Sequence, residues 1–391
     1  MLYLNSAKIR INYYFCHEFQ ERDEMKKLLI AFLLLIGFST EFALSQKIVR
    51  VGVMLPFKNQ EGNISPRAID FYRGIVMAAD SLRKDGTSFR IYTYNTANTS
   101  INTILNDTII PHLDIIYGPD DKMMLKVISD FTSSRGTKVI DAFEPTCDAV
   151  QSNPNFYVVF SPEDIVANDA ANLFDVHFAD TKKNVIIVDT KKVAHPFIAV
   201  IKNVSKKVRF LQAGFTQNQL GSRLSKNKTN FLVLSSADKE SAVDILEQIV
   251  LYKKNYPQYD IRLIGYPEWL EYSTFLADKM YFLDTYVYTS YYNNQLAQRN
   301  KNFQQTYKQL FKEDMDATRP VMALFGFDCA YFMLKALARY GRNYVGQDVY
   351  AAPLQNALQF KTFGNSGGMM NHFVQFVHYK PENQIELIKL K

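Results

Sequence analysis

Cysteine is scarce: Cys16, Cys147 and Cys329 are all that occur in 391 residues, too few for a disulfide framework. A chain of this length must therefore rest on a hydrophobic core. The six histidines are scattered, and none is spaced with a cysteine as zinc ligands are. There is no G-x-G-x-x-G loop, no Walker loop and no H-E-x-x-H, so nucleotide binding and zincin chemistry have no support and no cofactor is expected. One stretch, Gly364-Asn365-Ser366-Gly367-Gly368, fits G-x-S-x-G. A nucleophile elbow needs a following helix and then an acid and a histidine in order, whereas Met369, Met370 and a strand-like alternation follow here. The stretch reads as a glycine-rich turn, and the chain as a non-enzyme. No apolar run reaches the roughly 20 residues of a membrane span, which excludes a stable membrane anchor. Nucleic acid is excluded by the lack of any recognition motif in an exported chain.

What is present is ordinary globular composition, 47% hydrophobic and 21% charged, with length for two domains. Met25-Lys26-Lys27 precede the apolar run Leu28 to Phe38, and Ala43-Leu44-Ser45 supply small residues before Gln46. That order is a secretory signal, about Met25 to Ser45, and it predicts an exported, periplasmic or extracellular protein. Acidic residues in "HEFQERDE" do not suit a signal, so residues 1–24 read as an upstream extension with Met25 as the start. No cysteine closely follows the apolar run to take a lipid. Removing residues 1–45 takes five basic and five acidic residues and leaves the net charge at +6. Cys147 and Cys329 remain, and whether they pair depends on geometry.

The organising stretch is residues 48–99. Ile48 to Phe57 is a nearly unbroken apolar run stopped by Pro56, a strand buried on both faces. Ala68, Tyr72, Ile75, Ala79 and Leu82 then recur at helical spacing, Gly86 ends the helix, and Phe89 to Thr96 alternates as a second strand. Strand, helix, strand is a βαβ unit that seeds a parallel sheet. Strands at His112 to Pro119, Thr137 to Phe143 and Asn155 to Phe160 complete a doubly wound α/β domain. After Ser161-Pro162, which opens a helix with Ser161 as N-cap, the alternation restarts with strands at Asn184 to Asp189, Asn230 to Ser236, Ile261 to Tyr266 and Thr285 to Tyr292. Helices Asn300 to Lys312 and Val321 to Tyr340 and late strands His372 to Tyr379 and Gln384 to Leu390 follow.

The stretches "IVRVGVMLPF", "RAIDFYRGIVMAADSL", "DIIYGPDD", "NFYVVFSPED", "GFDCAYFMLKALARYG" and "GGMMNHFVQFVHY", in this order and spacing, resemble type I periplasmic binding proteins of the leucine/isoleucine/valine-binding kind. The resemblance implies two doubly wound parallel-sheet lobes joined by a three-strand hinge. Its crossings would fall near Ser161, Tyr286 to Tyr292 and Tyr340 to Val349. Lobe 1 is then 46–161 plus 293–345, and lobe 2 is 162–292 plus 346–391.

Ligands of open α/β sheets sit outside the carboxyl ends of strands. Amino-acid binders of the family hold the ligand carboxylate with Gly followed by Ser or Thr, whereas this chain has Gly118-Pro119-Asp120-Asp121. Proline lacks an amide donor and the carboxylates repel an anion, so an amino acid is not favoured and a cation or polyol is. Asp120 and Asp121 also suit plain helix capping. By position, the ligand contacts are Phe57, Asp120, Asp121, Glu144 and Thr146 on lobe 1, and Thr190, Tyr266 and Trp269 on lobe 2. Trp269, the only tryptophan, and the tyrosines near Tyr286 to Tyr292 suit a sugar or planar ligand or, alternatively, packing against helices. Lys182 to Lys228 carries eleven basic residues and one acid, either a solvated helical face or a dock for an acidic polymer or an envelope partner. The expected function is an exported solute-binding protein that closes two lobes on a small ligand and feeds an ABC transporter or a sensing system. The alternative is an envelope interaction or scaffold protein that keeps the fold without a ligand.

Overall fold

The structure is a computed structural model that describes residues 48–83, 86–145, 148–205 and 207–389. The upstream extension, the signal at 25–45, Thr146 and Cys147 with its pairing lie outside the described residues.

Strand β1 (Ile48–Leu55) is buried throughout from Val51 to Leu55, as an unbroken apolar run requires. Helix α1 (Pro66–Arg83) returns the chain, and β2 (Ser88–Asn95) pairs parallel to β1 in register Ile48 with Ser88. Strand β3 (Ile115–Tyr117) joins the other edge of β1, followed by β4 (Lys138–Asp141) and β5 (Phe156–Val158), all parallel. The expected strands are present; β3, β4 and β5 are shorter at both ends, β1 stops two residues early, and β2 is shifted by one residue. Helix α2 (Ile101–Leu105) and helix α3 (Lys122–Thr132) connect them.

The chain then crosses to a second sheet. Helix α4 (Glu163–His177) leads to β6 (Lys183–Asp189), α5 (Pro196–Val204), β7 (Val208–Gln212), α6 (Gln217–Arg223), β8 (Thr229–Leu234), α7 (Lys239–Asn255), β9 (Ile261–Gly265), α8 (Ser273–Phe282) and β10 (Thr285–Thr289). Ser161 does not cap α4; its hydroxyl donates to the Asn371 carbonyl, and Pro162 takes the cap position without a side-chain bond. Strand β7 is missing from the sequence reading because only Leu211 is buried in it, so an apolar pattern has nothing to report. It is an edge strand, and Arg209 on it suits the need to discourage edge pairing. The basic stretch Lys182 to Lys228 therefore spans two strands and two helices, not one solvated helical face.

Helices α9 (Gln298–Phe311) and α10 (Met322–Tyr340) return to the first sheet. So do β11 (Phe360–Thr362) and β12 (Met369–Asn371), which extend it beyond β5. Only β13 (Gln375–Lys380) and β14 (Gln384–Lys389) belong to the second sheet. The segment 346–371, assigned by sequence to lobe 2, is thus placed by β11 and β12 with the first sheet, and the third crossing falls between β12 and β13 instead of near Tyr340 to Val349. Both short strands escaped notice because three residues carry no readable period. The turn Gly364–Gly368 joins them as a hairpin, with a strand after Ser366 where an elbow needs a helix. The two sheets have seven strands each, in orders β11-β12-β5-β4-β3-β1-β2 and β14-β13-β10-β9-β8-β6-β7. Up to their fifth strands both lobes follow one winding plan.

Helix α10 is buried along most of its length and crosses α1 at two glycines. A Cβ on Gly326 would overlap the Phe71 carbonyl oxygen, and one on Gly74 would lie 2.6 Å from the Phe327 nitrogen. No side chain fits at either place. Asp70 on α1 accepts from the Tyr307 hydroxyl of α9 and, at 2.9 Å, from the Asp316 amide, so a buried carboxylate fastens α9 and the loop after it. Asp328 on α10 accepts the amides of Leu354, Gln355 and Asn356 at 2.7–2.8 Å, which pins the chain between α10 and β11. Gly326→Ala is expected to destabilise the fold by about 3 kcal/mol or more, at the upper end for overpacking because backbone cannot yield. Chemical denaturation measures it, and a loss under 1 kcal/mol would mean the helices do not touch as described.

Candidate functional site

On the first sheet, the carboxyl ends of β1, β3 and β4 carry the candidate residues. Gly118 follows β3 at φ +82, where a Cβ would run into the Met54 carbonyl, so only glycine lets the chain turn here. Asp121 then caps α3, accepting the Met124 amide at 2.8 Å; the capping role expected of it is real, and it is exposed besides. Asp120 is half-buried, and burial raises its carboxyl above the usual range against the nearby Arg67 charge, with Asp121 and Glu144 adding to the rise. Glu144 stands on the loop after β4, its amide held by Asp141 Oδ1 at 2.8 Å. Phe57 packs edge-on against Tyr72, ring centroids 5.7 Å apart. Asp120 and Glu144 thus share one electrostatic neighbourhood, whereas Phe57 has a packing partner of its own.

The residue that sequence reasoning passed over is Asp141, the last of β4. It is fully buried; Oδ1 accepts the amides of Phe143 and Glu144, and Oδ2 has no partner. Burial pushes it up to about 7, opposed by those amide bonds and helped by the Glu144 charge.

The second sheet departs from expectation. Tyr266 and Trp269 are both 0% exposed, so neither presents a face to a ligand in this conformation. The Tyr266 hydroxyl donates to the Leu234 carbonyl, and the Trp269 indole lies against Gly265, whose added Cβ would come within 2.6 Å of it. The packing alternative weighed for the aromatics holds for these two: a large ring next to a buried strand end is worth more in the core than in water. Thr190 is also buried, its amide and hydroxyl 2.9 Å from Ser235 Oγ and the hydroxyl 2.8 Å from Ser236 Oγ.

What reaches the edge instead is a group no local pattern reveals: Glu163 at the start of α4, His195 before α5, and Glu268 in the 3-10 turn Pro267–Leu270 after β9. His195 Nε2 lies 2.7 Å from Glu163 Oε1 and 4.0 Å from Glu268 Oε1. Its Nδ1 accepts the Phe197 amide at 3.2 Å. Burial lowers the imidazole to about 4, so the ring is neutral and its Nε2–H donates to Glu163. Burial raises Glu268, as do the charges of Glu163 and Glu271. The three residues are separated by up to about a hundred positions and are united only by the fold, Glu163 opening α4, His195 following β6 and Glu268 following β9.

No protein-family model matches the chain, and no curated protein matches it in sequence. Solved structures do. A putative branched-chain amino acid ABC transporter from Rhodospirillum rubrum is 12% identical with a TM-score of 0.57, over 87% of this chain and all of that one. A branched chain amino acid ABC transporter periplasmic ligand-binding protein from Burkholderia xenovorans is 12% identical with a TM-score of 0.50, over 87% of this chain and 94% of its own. Full-length LpoA from Haemophilus influenzae is 12% identical with a TM-score of 0.53, covering 91% of this chain and 61% of LpoA. At such identities the likeness is one of fold. The chain has the two-lobed α/β fold of the type I periplasmic binding proteins.

Two outcomes test this description. Trp269→Ala should cost about 3–5 kcal/mol of stability, the range for emptying a packed aromatic site, measured by urea unfolding; a near-neutral result would mean the ring is not in the core. For Asp141 the sign follows from its raised value. An acid raised from about 4 when unfolded contributes stability that is present below that pH and lost as pH rises through the folded value. The native chain should therefore lose stability relative to Asp141→Asn between pH 4 and about 7, by up to about 4 kcal/mol. Unfolding midpoints of both proteins across that range decide it, and a pH-independent difference would refute the assignment.

Proposed function

We propose that this chain is an exported solute-binding protein whose two lobes close on a small cationic ligand. The observation that carries the reading is the half-buried Asp120 beside Glu144, at strand ends where this fold places ligands. A carboxylate that burial pushes toward its neutral form is returned to its charged form by an arriving cation, so ligand charge and site charge favour one another. The same carboxylates repel an amino acid's carboxylate, and no Ser or Thr follows Gly118 to receive it. Closure would be a hinge motion at the three crossings, with the ligand bridging both lobes and shifting an open and closed equilibrium. The first and third crossings are laced together by Asn371 Nδ2, which donates to the Val159 carbonyl at 3.1 Å, and the second is tied to the first lobe by the Tyr292 amide, which donates to the Gln355 carbonyl at 3.0 Å. Delivery to an ABC transporter or sensing partner belongs to this proposal. Among the described residues no helix is long and apolar enough to cross a membrane.

A second reading, an envelope scaffold of the same fold without a ligand, is favoured by one observation. Thr190, Tyr266 and Trp269, the second lobe's expected contacts, are all engaged by their own neighbours.

The test is a thermal-shift screen of the chain from Gln46 with polyamines, basic amino acids, neutral amino acids and sugars, followed by calorimetry and small-angle scattering. Expected are a rise in melting temperature with a cationic compound, a smaller radius of gyration in its presence, and at least tenfold weaker binding for Asp120→Asn with Glu144→Gln. Absence of any shift across these classes, with capture of an envelope protein, would replace the receptor by the scaffold.

A further inference from the structure

We propose that Glu163, His195 and Glu268 form a binding site for a first-row transition-metal ion, zinc foremost, on the second lobe. The proposal is independent of lobe closure, since all three ligands belong to the second lobe's segment, Glu163 opening α4, His195 following β6 and Glu268 following β9. One ligating atom of each residue lies within 4.8 Å of the other two. The imidazole is the fixed member. Its ring is buried, lies over the Tyr266 ring at a centroid distance of 4.3 Å, and has Tyr288 Oη beside it, 3.3 Å from Nδ1 and 3.5 Å from Nε2. The Phe197 amide on Nδ1 sets the ring so that Nε2 faces the two carboxylates.

The carboxylates are the movable members. Glu163 is exposed and Glu268 half-buried, so each has room to bring an oxygen to the roughly 2.0–2.2 Å that zinc requires. Glu268 has a further mark of an unfinished environment, since Oε2 is shielded from solvent and has no hydrogen-bond partner. A bound dication would neutralise the repulsion between Glu163 and Glu268 that adds to the rise burial causes in the latter. One imidazole and two carboxylates suit zinc, cobalt or manganese, whereas calcium and magnesium prefer oxygen alone. Three protein ligands leave a coordination position open to water or to a ligand in the cleft.

The proton balance is closed. Without metal the ring holds its proton on Nε2, donates it to Glu163, and accepts the Phe197 amide at Nδ1. With metal the Nε2 lone pair binds the ion and the proton moves to Nδ1, where it would face the Phe197 N–H, so binding requires the imidazole to turn off that amide, with Tyr288 Oη, 3.3 Å from Nδ1 and 3.5 Å from Nε2, as the acceptor beside it. The ring stays neutral in both states, and the exchange gives up the Phe197 amide bond.

Calorimetric titration of the chelator-treated chain with Zn²⁺ and visible absorption with Co²⁺ test the site. Expected are one ion per chain, cobalt d–d bands of nitrogen and oxygen ligation, at least tenfold weaker zinc binding for Glu163→Gln and for Glu268→Gln, and loss of the bands in His195→Gln. The two glutamine variants alter exposed or half-exposed side chains, so an unchanged melting temperature without metal controls for folding. Zinc binding of unaltered strength in both variants, or no cobalt bands in the native chain, would overturn the site and leave a hydrogen-bonded His195–Glu163 pair. Because no organic ligand is added, failure here leaves the cationic-solute reading standing, and failure of that screen leaves the metal site standing.

Discussion

The contact on which the rest of the architecture depends is the crossing of α1 and α10, where Gly74 and Gly326 let two backbones touch. The approach brings the flanking Phe71, Phe325 and Phe143 rings together, with Phe71 4.9 Å from Phe143 and 5.5 Å from Phe325. Because α10 is drawn against the first lobe, a chain that has just finished β10 in the second lobe must travel back. It must then leave again to reach β13. A three-stranded connection between lobes is thus a consequence of one helix pair, and removal of that pair would leave the last third of the chain with nowhere to bury its apolar residues.

Two buried carboxylates convert that return journey into a defined path. Asp70 holds the Tyr307 hydroxyl and the Asp316 amide, and Asp328 holds three consecutive amides after α10. A carboxylate that accepts several amides offsets its own desolvation and supplies those donors with partners they would otherwise lack. The balance is close for Asp328, where burial prevails over the three amide bonds and pushes it up to about 7. The second lobe is braced at the opposite end of its strands by another set, in which Asp284 bridges His378 Nε2 at 2.6 Å and Arg262 Nε at 3.1 Å, with the His378 ring stacked 3.8 Å from Tyr286. The strand ends facing the cleft lack such closure. Asp141 and Glu268 each retain an unpartnered oxygen there, and Asp120 is half-buried with the Arg67 charge nearby.

Buried polar atoms without partners occur elsewhere too, Thr285 Oγ1 and His378 Nδ1 at the braced end among them, so what sets the strand ends apart is that the groups there, Asp141 and Glu268, are carboxyls. The first lobe offers the carboxyls of Asp120 and Glu144 with the Arg67 charge nearby. The second offers an imidazole among carboxylates, suited to a softer ion. These are different chemistries on two faces of one fold, which places their specificity in the loops and not in the sheets.

Much of the fold was legible in the sequence because its signals are local. An unbroken apolar run such as Val51 to Leu55 is a strand buried on both faces in any context, and the spacing of Ala68, Ile75, Ala79 and Leu82 is a helix face. Order and spacing of these units sufficed for two doubly wound lobes. Elements with little burial or little length, β7, β11 and β12, left no period to read, and with them went the true course of the segment 346–371. For the site, sequence position identified the loops at strand ends, including Asp120, Asp121 and Glu144, because topology alone fixes where those loops emerge. It did not decide which side chains face the cleft: Tyr266 and Trp269 turn inward since a buried ring gains more by packing than by waiting for a ligand, while Asp141 gained its importance only from depth. Nor could Glu163, His195 and Glu268 be joined from sequence, since their proximity is created by parallel strands that bring distant loops to one edge, and burial and adjacency are properties of the assembled chain.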